Sequence, residues 1–279
     1  MAEQIVLEQN LKSMELQKRK TETVNHTFTI ARNTFREAVR DRVLYNLVLF
    51  VLLITASAIF LGELTAGQDA KTIVDLGLGA MLVFGAFISI FVGVSLVSKE
   101  IERRTVYAIF SKPIGRGEFI VGKYLGLCLT LLVNVLIMGA GVSLAILYVG
   151  GGNLAFSIWG AVFLIYLELT ILTAVAILFS SFSSPALSAL LTFFVFIIGN
   201  FTASLRDFAA NLGTRFTKAF FDFLYYILPN LSFYNFRTNA AHGDVPPAAL
   251  LGGAFLYAAI YVGILLFVTV YIFSRRNFK

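Results

Sequence analysis

The chain has 279 residues, 58% of them hydrophobic and only 14% charged, against about 25% charged in an ordinary soluble domain. That composition excludes a soluble globular enzyme and places the chain in a bilayer. The formal net charge of +6 would admit nucleic acid as a partner if it were clustered, but the basic residues follow a membrane topology instead, and the single cysteine, Cys128, excludes an intrachain disulfide framework and reads as an inert thiol in an apolar run.

In the first 27 residues, Leu7, Leu11 and Met14 share one side of a helix candidate, with Lys18, Arg19 and Lys20 behind them. A further interfacial contact and a disordered leader both fit. No cleavable signal peptide is expected, since the first apolar run starts near Val43 behind a charged leader. FTIARNTFREAVRDR (28–42) sets Phe28, Ala31, Phe35, Ala38 and Val39 at helical spacing and leaves the other face to Arg32, Arg36, Arg40 and Arg42. This predicts an amphipathic helix lying in the headgroup layer.

About 20 mostly apolar residues cross the hydrocarbon as a helix. Six segments qualify, over 43–62, 73–97, 119–149, 154–182, 186–204 and 249–273, so the predicted fold is an all-α polytopic membrane protein. The third is longer than one crossing needs, so an end should project or bend. Placing both termini in the cytoplasm puts 17 of the 22 basic residues on that side, as the positive-inside rule requires. Between the fifth and last spans, 205–248 contains FTKAFFDFLYYILPNLSFYNF. Phe216, Phe220, Phe223, Leu224 and Ile227 make a helical stripe that Pro229 stops, which predicts an extracytoplasmic segment dipping into the outer leaflet. A seventh span is the competing reading, opposed by Asp222 in its middle and by the parity of the topology.

The loop between spans two and three reads SKEIERRTVYAIFSKPIGRGEF. Ser98 is a cap candidate, Glu100 and Glu102 lie in a first turn where the helix dipole favours acids, and Pro113 with Gly115 ends the run. Ile101, Thr105, Ala108 and Ile109 share a face. So short a helix requires a partner surface, headgroups or another protein. Just beyond it, GEFIVGKY (117–124) has the Gly-x4-Gly-Lys skeleton of a phosphate-binding loop. Tyr124 replaces the hydroxyl that would ligate magnesium, and a membrane helix follows where a βαβ unit should be. The chain therefore has no nucleotide site of its own, and Gly115 and Gly117 read as a tight turn, with Arg116 and Lys123 available to phosphates or to acidic groups of a partner.

In this loop Glu100, Glu102, Thr105, Ser111, Pro113, Arg116 and Lys123 form the pattern Glu-x-Glu-x-x-Thr, Ser-x-Pro-x-x-Arg, then lysine. With the amphipathic leader, the six spans and LPNLSFYNF before the last of them, the chain resembles the membrane (permease) subunits of ABC-2 type ATP-binding-cassette transporters from about residue 28 onward. The stretch ARNTFREAVRDRVLYN is similar to the subgroup associated with multicopper-enzyme maturation, a label that carries little about cargo. The resemblance implies an inner-membrane homodimer with two separate ATPase subunits docked beneath it, which hold ATP and Mg; this chain would need no cofactor. Glu100, Ile101, Glu102, Thr105, Ile109, Ser111, Pro113 and Arg116 would form the ATPase-coupling segment. A basic loop that only sets topology is the plainer alternative.

Within the bilayer, Glu168 is the one acidic residue deep in a span, a costly placement that suggests a cargo or proton contact, or else a protonated or hydrogen-bonded packing residue. Asn134 and Asn200 are expected to make interhelical hydrogen bonds. Gly85, Ser89 and Gly93 recur every four residues and let a helix approach closely, from the same subunit or its twin. His26 and His242 fall on opposite sides of the membrane, and no His-Glu-x-x-His motif occurs, so no metal site is expected. The leading expectation is an exporter of a lipid-like or amphiphilic molecule, a small ion or a copper-related cargo. A unit passing force to an extracytoplasmic partner, and a secondary transporter coupled through Glu168, are the alternatives.

Overall fold

The computed structural model describes residues 26–38, 49–50, 53–54, 57, 69–102, 115–212 and 227–275, excepting the side chains of 69, 99–102 and 203–212. Every regular element among them is helical: α1 (26–38), α2 (Asp69–Glu102), α3 (Arg116–Tyr148), α4 (Gly152–Ser180), α5 (Pro185–Leu212), a 3-10 turn (Leu231–Tyr234), α6 (Arg237–Ala241) and α7 (Ala248–Arg275). Five of these helices are long and apolar enough to cross a membrane, and they match the predicted spans two to six. Most of the predicted first span lies outside the described residues. Its described positions 49–50, 53–54 and 57 are helical, and Phe50 and Ile54 are buried, with Phe50 edge-on to Phe84 at 5.9 Å.

The core is built around α4. GNLAFSIWGAVFLIYLELTILTAVAILFS is apolar on all sides, as suits a helix enclosed by others, and Leu167 through Ile177 are all buried. Helices α2, α3, α5 and α7 pack against it. By contrast, α7 buries one narrow stripe, Ala254, Ala258, Val262, Thr269 and Phe273.

The 33 residues of α3 extend for about 50 Å at 1.5 Å per residue, beyond a hydrocarbon core of about 30 Å. Its C-terminal end meets α4 through a minimal turn. Gly150 takes φ +85°, a left-handed conformation that glycine adopts without penalty, and the N–H of Gly151 donates to the Ile146 carbonyl at 3.0 Å. At the other end of α4, the turn to α5 is held by serines. The hydroxyls of Ser183 and Ser188 bond at 2.6 Å, Ser181 Oγ donates to the Leu178 carbonyl at 2.7 Å, and Pro185 opens α5, where its missing N–H costs nothing.

Two local expectations change. The coupling helix was expected to begin at Ser98, yet α2 runs without a break through Ser98 to Glu102, because Lys99, Glu100 and Glu102 favour helix and nothing breaks it. Gly115 and Gly117 do not make a left-handed turn: Gly115 is extended (φ −68°, ψ 143°) and Gly117 lies in the first turn of α3.

The described part of the segment before α7 folds into the bundle. Leu231, Tyr234 and Ala240 are buried, α6 packs on α2 and α4, and the 3-10 turn packs on α5 and α4. Glycine makes two tight seats for it, at Gly199 and Gly160, and Gly79 lies in ordinary contact range of Arg237. A Cβ at Gly199 would come within 2.9 Å of the Pro229 carbonyl oxygen, one at Gly160 within 2.4 Å of Pro246, and one at Gly79 within 3.5 Å of the Arg237 guanidinium. The carbonyl of Ile227 accepts from Tyr261 Oη at 2.8 Å, about 20 Å along α7 from Ala248, so the segment reaches about half-way along that helix. The predicted stripe from Phe216 to Leu224 lies outside the described residues.

Candidate functional site

The end of the bundle where α2 stops, α3 starts and α7 finishes holds the first candidate site. Of the predicted coupling residues, Glu100, Ile101 and Glu102 occupy the last turn of α2 and Arg116 opens α3, while Thr105, Ile109, Ser111 and Pro113 lie outside the described residues. The Arg116 guanidinium donates to the carbonyls of Phe273, at 3.3 Å, and Ser274. These belong to the last turn of α7, where carbonyls have no partner within the helix and a cation is favoured by the dipole. Phe119 stacks on Phe273 at 6.0 Å beside this cap.

One turn further on, α3 receives α1. Gly122 and Gly126 leave a furrow, and a Cβ there would lie 2.8 Å from Ile30 and 2.6 Å from the Ala31 carbonyl oxygen. Lys123 is buried, pairs with Glu37 at 3.7 Å and sits over the Phe119 ring, and His26 faces Glu118 at 3.4 Å. The face of α1 turned inward is Ile30, Ala31, Thr34 and Ala38, whereas Phe28 is 70% exposed. Of the predicted face, Ala31 and Ala38 turn inward and Phe35 is half-buried, while Phe28 departs from it. Gly122-x3-Gly126 is a small-xxx-small signal of the kind that brings helices together in membranes; sequence reasoning passed over it, having read these positions only as a counterfeit phosphate loop.

The second candidate site lies inside the bundle. Glu168 of α4 is 1% exposed, and Asn200 of α5 donates to its Oε1 at 2.7 Å. Pro229 and Leu231 cover the neighbouring Gly199, and Arg237 lies within electrostatic range of the carboxyl group. Asn134 is placed elsewhere. Its Nδ2 bonds the Thr130 carbonyl of its own helix at 2.8 Å, and its buried Oδ1 has no hydrogen-bond partner among the described residues. Gly85, Ser89 and Gly93 face α4 of the same chain: Cβ atoms on the two glycines would lie 2.4 Å from Leu169 and 3.1 Å from Ala176, and Ser89 Oγ points at the Leu169 carbonyl.

Tyrosines, which sequence reasoning did not single out, tie the inserted segment to α7. Tyr261 Oη donates to the Ile227 carbonyl at 2.8 Å, the N–H of Asn230 donates to Tyr257 Oη at 3.0 Å, and Tyr234 Oη donates to the Ala254 carbonyl at 2.9 Å. Burial first, then nearby Tyr257 and Glu168, push the Tyr234 phenol above its ordinary range. Among the described residues no three His, Cys, Asp or Glu side chains are grouped to hold a metal. His26 pairs as above, and exposed His242 bonds the Thr238 carbonyl at 2.8 Å.

A family model described as "ABC-2 family transporter protein" matches residues 28–278, from α1 to beyond the end of α7. The chain belongs to the ABC-2 transporter family. Two curated relatives, both called "Probable ABC transporter permease protein NosY", are similar to it. That of Pseudomonas aeruginosa is 29% identical over 124 residues, 43% of this chain and 45% of the relative. That of Stutzerimonas stutzeri is 27% identical over 141 residues, 49% and 51%. The chain spans about half the length of the curated relatives it matches. As an ABC-2 permease with five helices long and apolar enough to cross a membrane, it is a multi-pass membrane protein.

Proposed function

We propose that this ABC-2 permease is the membrane half of an exporter in the inner membrane, driven through the loop 98–117 by ATPase subunits that carry the ATP and Mg. Two copies pair, two ATPase subunits dock beneath them, and both termini face the cytoplasm, in keeping with the distribution of Lys and Arg. The observation that carries this reading is the pair of helices flanking the loop. Helix α2 continues unbroken from its apolar span to Glu102 and α3 restarts at Arg116, so a push on the connecting residues reaches two long rods directly and tilts them.

The test is purification in mild detergent. An ATPase should accompany the wild-type permease, and Glu102→Lys or Thr105→Trp should release it or uncouple it. Retention of a fully coupled ATPase in both variants overturns the assignment of the loop. A second reading, transmission of force to an extracytoplasmic partner, is favoured by the insertion of residues 227–247 beside α7, with His242 to Val245 left exposed. A vesicle flux assay separates the two, since force transmission moves no solute. Glu168→Gln abolishes transport only if the carboxyl group couples it to an ion.

A further inference from the structure

Helix α1 turns one face to α3 and leaves the opposite face to its surroundings. Gly122 meets Thr27 and Ile30, and one turn further on Gly126 meets Ala31 and Thr34, so α1 and α3 run side by side in the same direction. The charged groups bordering this furrow are paired, Lys123 with Glu37 and His26 with Glu118. On the opposite face Phe28, Arg32 and Arg36 follow one another at intervals of about one turn, and all three are exposed. Among the described residues no carboxylate pairs with either arginine.

Depth decides what these arginines meet. Centred on a hydrocarbon core of about 30 Å, the roughly 50 Å of α3 leave about 10 Å outside at each end. Gly122 and Gly126 lie about 9 and 15 Å from the start of α3, so they straddle the level where acyl chains give way to phosphates, and α1 runs past the same level. A guanidinium there is costly without an anion. Its apolar stem lies along the acyl chains while its head reaches the phosphates, whose oxygens match its planar fork of donors. Phe28 adds a ring of the kind that interfacial helices bury at this boundary.

We propose that the face of α1 formed by Phe28, Arg32 and Arg36 is a docking surface for anionic phospholipid. The two guanidinium groups hold headgroup phosphates, and the lipid closes over α1 on the side away from the Gly122/Gly126 furrow. Two positive charges with no facing carboxylate favour a lipid of net negative charge over a zwitterionic one, whose ammonium offsets its phosphate. The site stands whether or not the loop 98–117 couples an ATPase.

The experiment uses the full-length permease in nanodiscs of mixed phosphatidylglycerol and phosphatidylcholine. Trp159 is the one tryptophan of the chain, so Trp159→Phe with Phe28→Trp leaves a single indole, on this face. Its quenching by brominated phosphatidylglycerol, set against quenching by brominated phosphatidylcholine at the same mole fraction, gives the relative association of the two lipids. Each arginine should contribute about fivefold to the preference for phosphatidylglycerol. Arg32→Gln or Arg36→Gln should each remove that factor, the double glutamine variant should bring the ratio near unity, and Arg32→Lys/Arg36→Lys should keep most of it. Lys71→Gln removes an exposed charge at the opposite end of the bundle and should change nothing. Added salt should lower the parent's ratio, a reading that requires no arginine variant to fold. The inference is overturned by a parent ratio near unity, by a ratio insensitive to salt, or by one that survives the double glutamine variant. It is overturned too if inorganic phosphate at matched ionic strength abolishes the preference, which marks a site for a soluble anion. Release of a copurified ATPase by the double glutamine variant, with the lipid ratio unchanged, makes the face a protein contact instead.

Discussion

Two pieces that do not cross the bundle are fastened to it, one at each side, by different chemistry. At the junction of α1, α3 and α7, α1 sits in the Gly122/Gly126 furrow under the Lys123–Glu37 and His26–Glu118 pairs, and Arg116 caps α7. The segment before α7 is seated over Gly160 and Gly199 and tied by phenols to backbone groups. Glycine makes room in both places, but charge does the holding only at the rim. Ion pairs are tolerable where water and headgroups still reach them, whereas deep in a bundle each ion would need costly desolvation. A neutral hydroxyl satisfies a buried carbonyl without that cost.

The sharpest way to break this contrast is to fill a furrow. Gly126→Leu drives a side chain into the Ala31 carbonyl and Thr34, and overpacking of this kind costs about 3 kcal/mol. Hydrogen exchange over residues 26–38 should rise strongly while the outer segment keeps its protection; if both loosen together, the two fastenings are not independent. Next in size is Glu168→Ala, which removes the carboxyl group that accepts from Asn200 and leaves that amide its bond to the Phe196 carbonyl alone; it should lower stability in detergent by about 2 kcal/mol. Glu168→Gln should cost less. At the rim, Glu37→Gln should cost about 1 kcal/mol or less, with a deficit that shrinks in high salt. Outer-segment variants should show no such salt dependence, and a matching salt effect there would erase the distinction.

The smallest expected effect concerns pH. Because the Tyr234 phenol is raised in the folded protein, its contribution is complete below the unfolded tyrosine value of about 10. It is lost as pH climbs above that value, where the unfolded chain ionises and the folded one does not. Tyr234→Phe should therefore show a shallower loss of stability at alkaline pH, measured by denaturant titration. An unchanged slope would place that phenol in contact with water.

The spans were legible because apolar runs of bilayer length announce themselves, and predicted spans two to six have helical counterparts. Their ends were less so. Hydropathy stops at Val97, but the helix continues to Glu102 because charged residues propagate a helix well without being apolar. On α1 the spacing found Ala31 and Ala38 but also included Phe28, which is exposed, because hydrophobicity alone does not say which residues meet the Gly122/Gly126 furrow. Glu168 stood out as an isolated acid, but its bond to Asn200 joins two helices, and nothing local in either sequence names the partner. The phenol ties were equally hidden, since each tyrosine meets a backbone group, which has no signature in sequence.

The turn at Gly150 has a mechanical consequence. With so few residues joining the outer tips of α3 and α4, that pair behaves like tweezers sealed at one end. Its prongs have freedom to spread only at the opposite end, so any gap between them must taper shut toward Gly150.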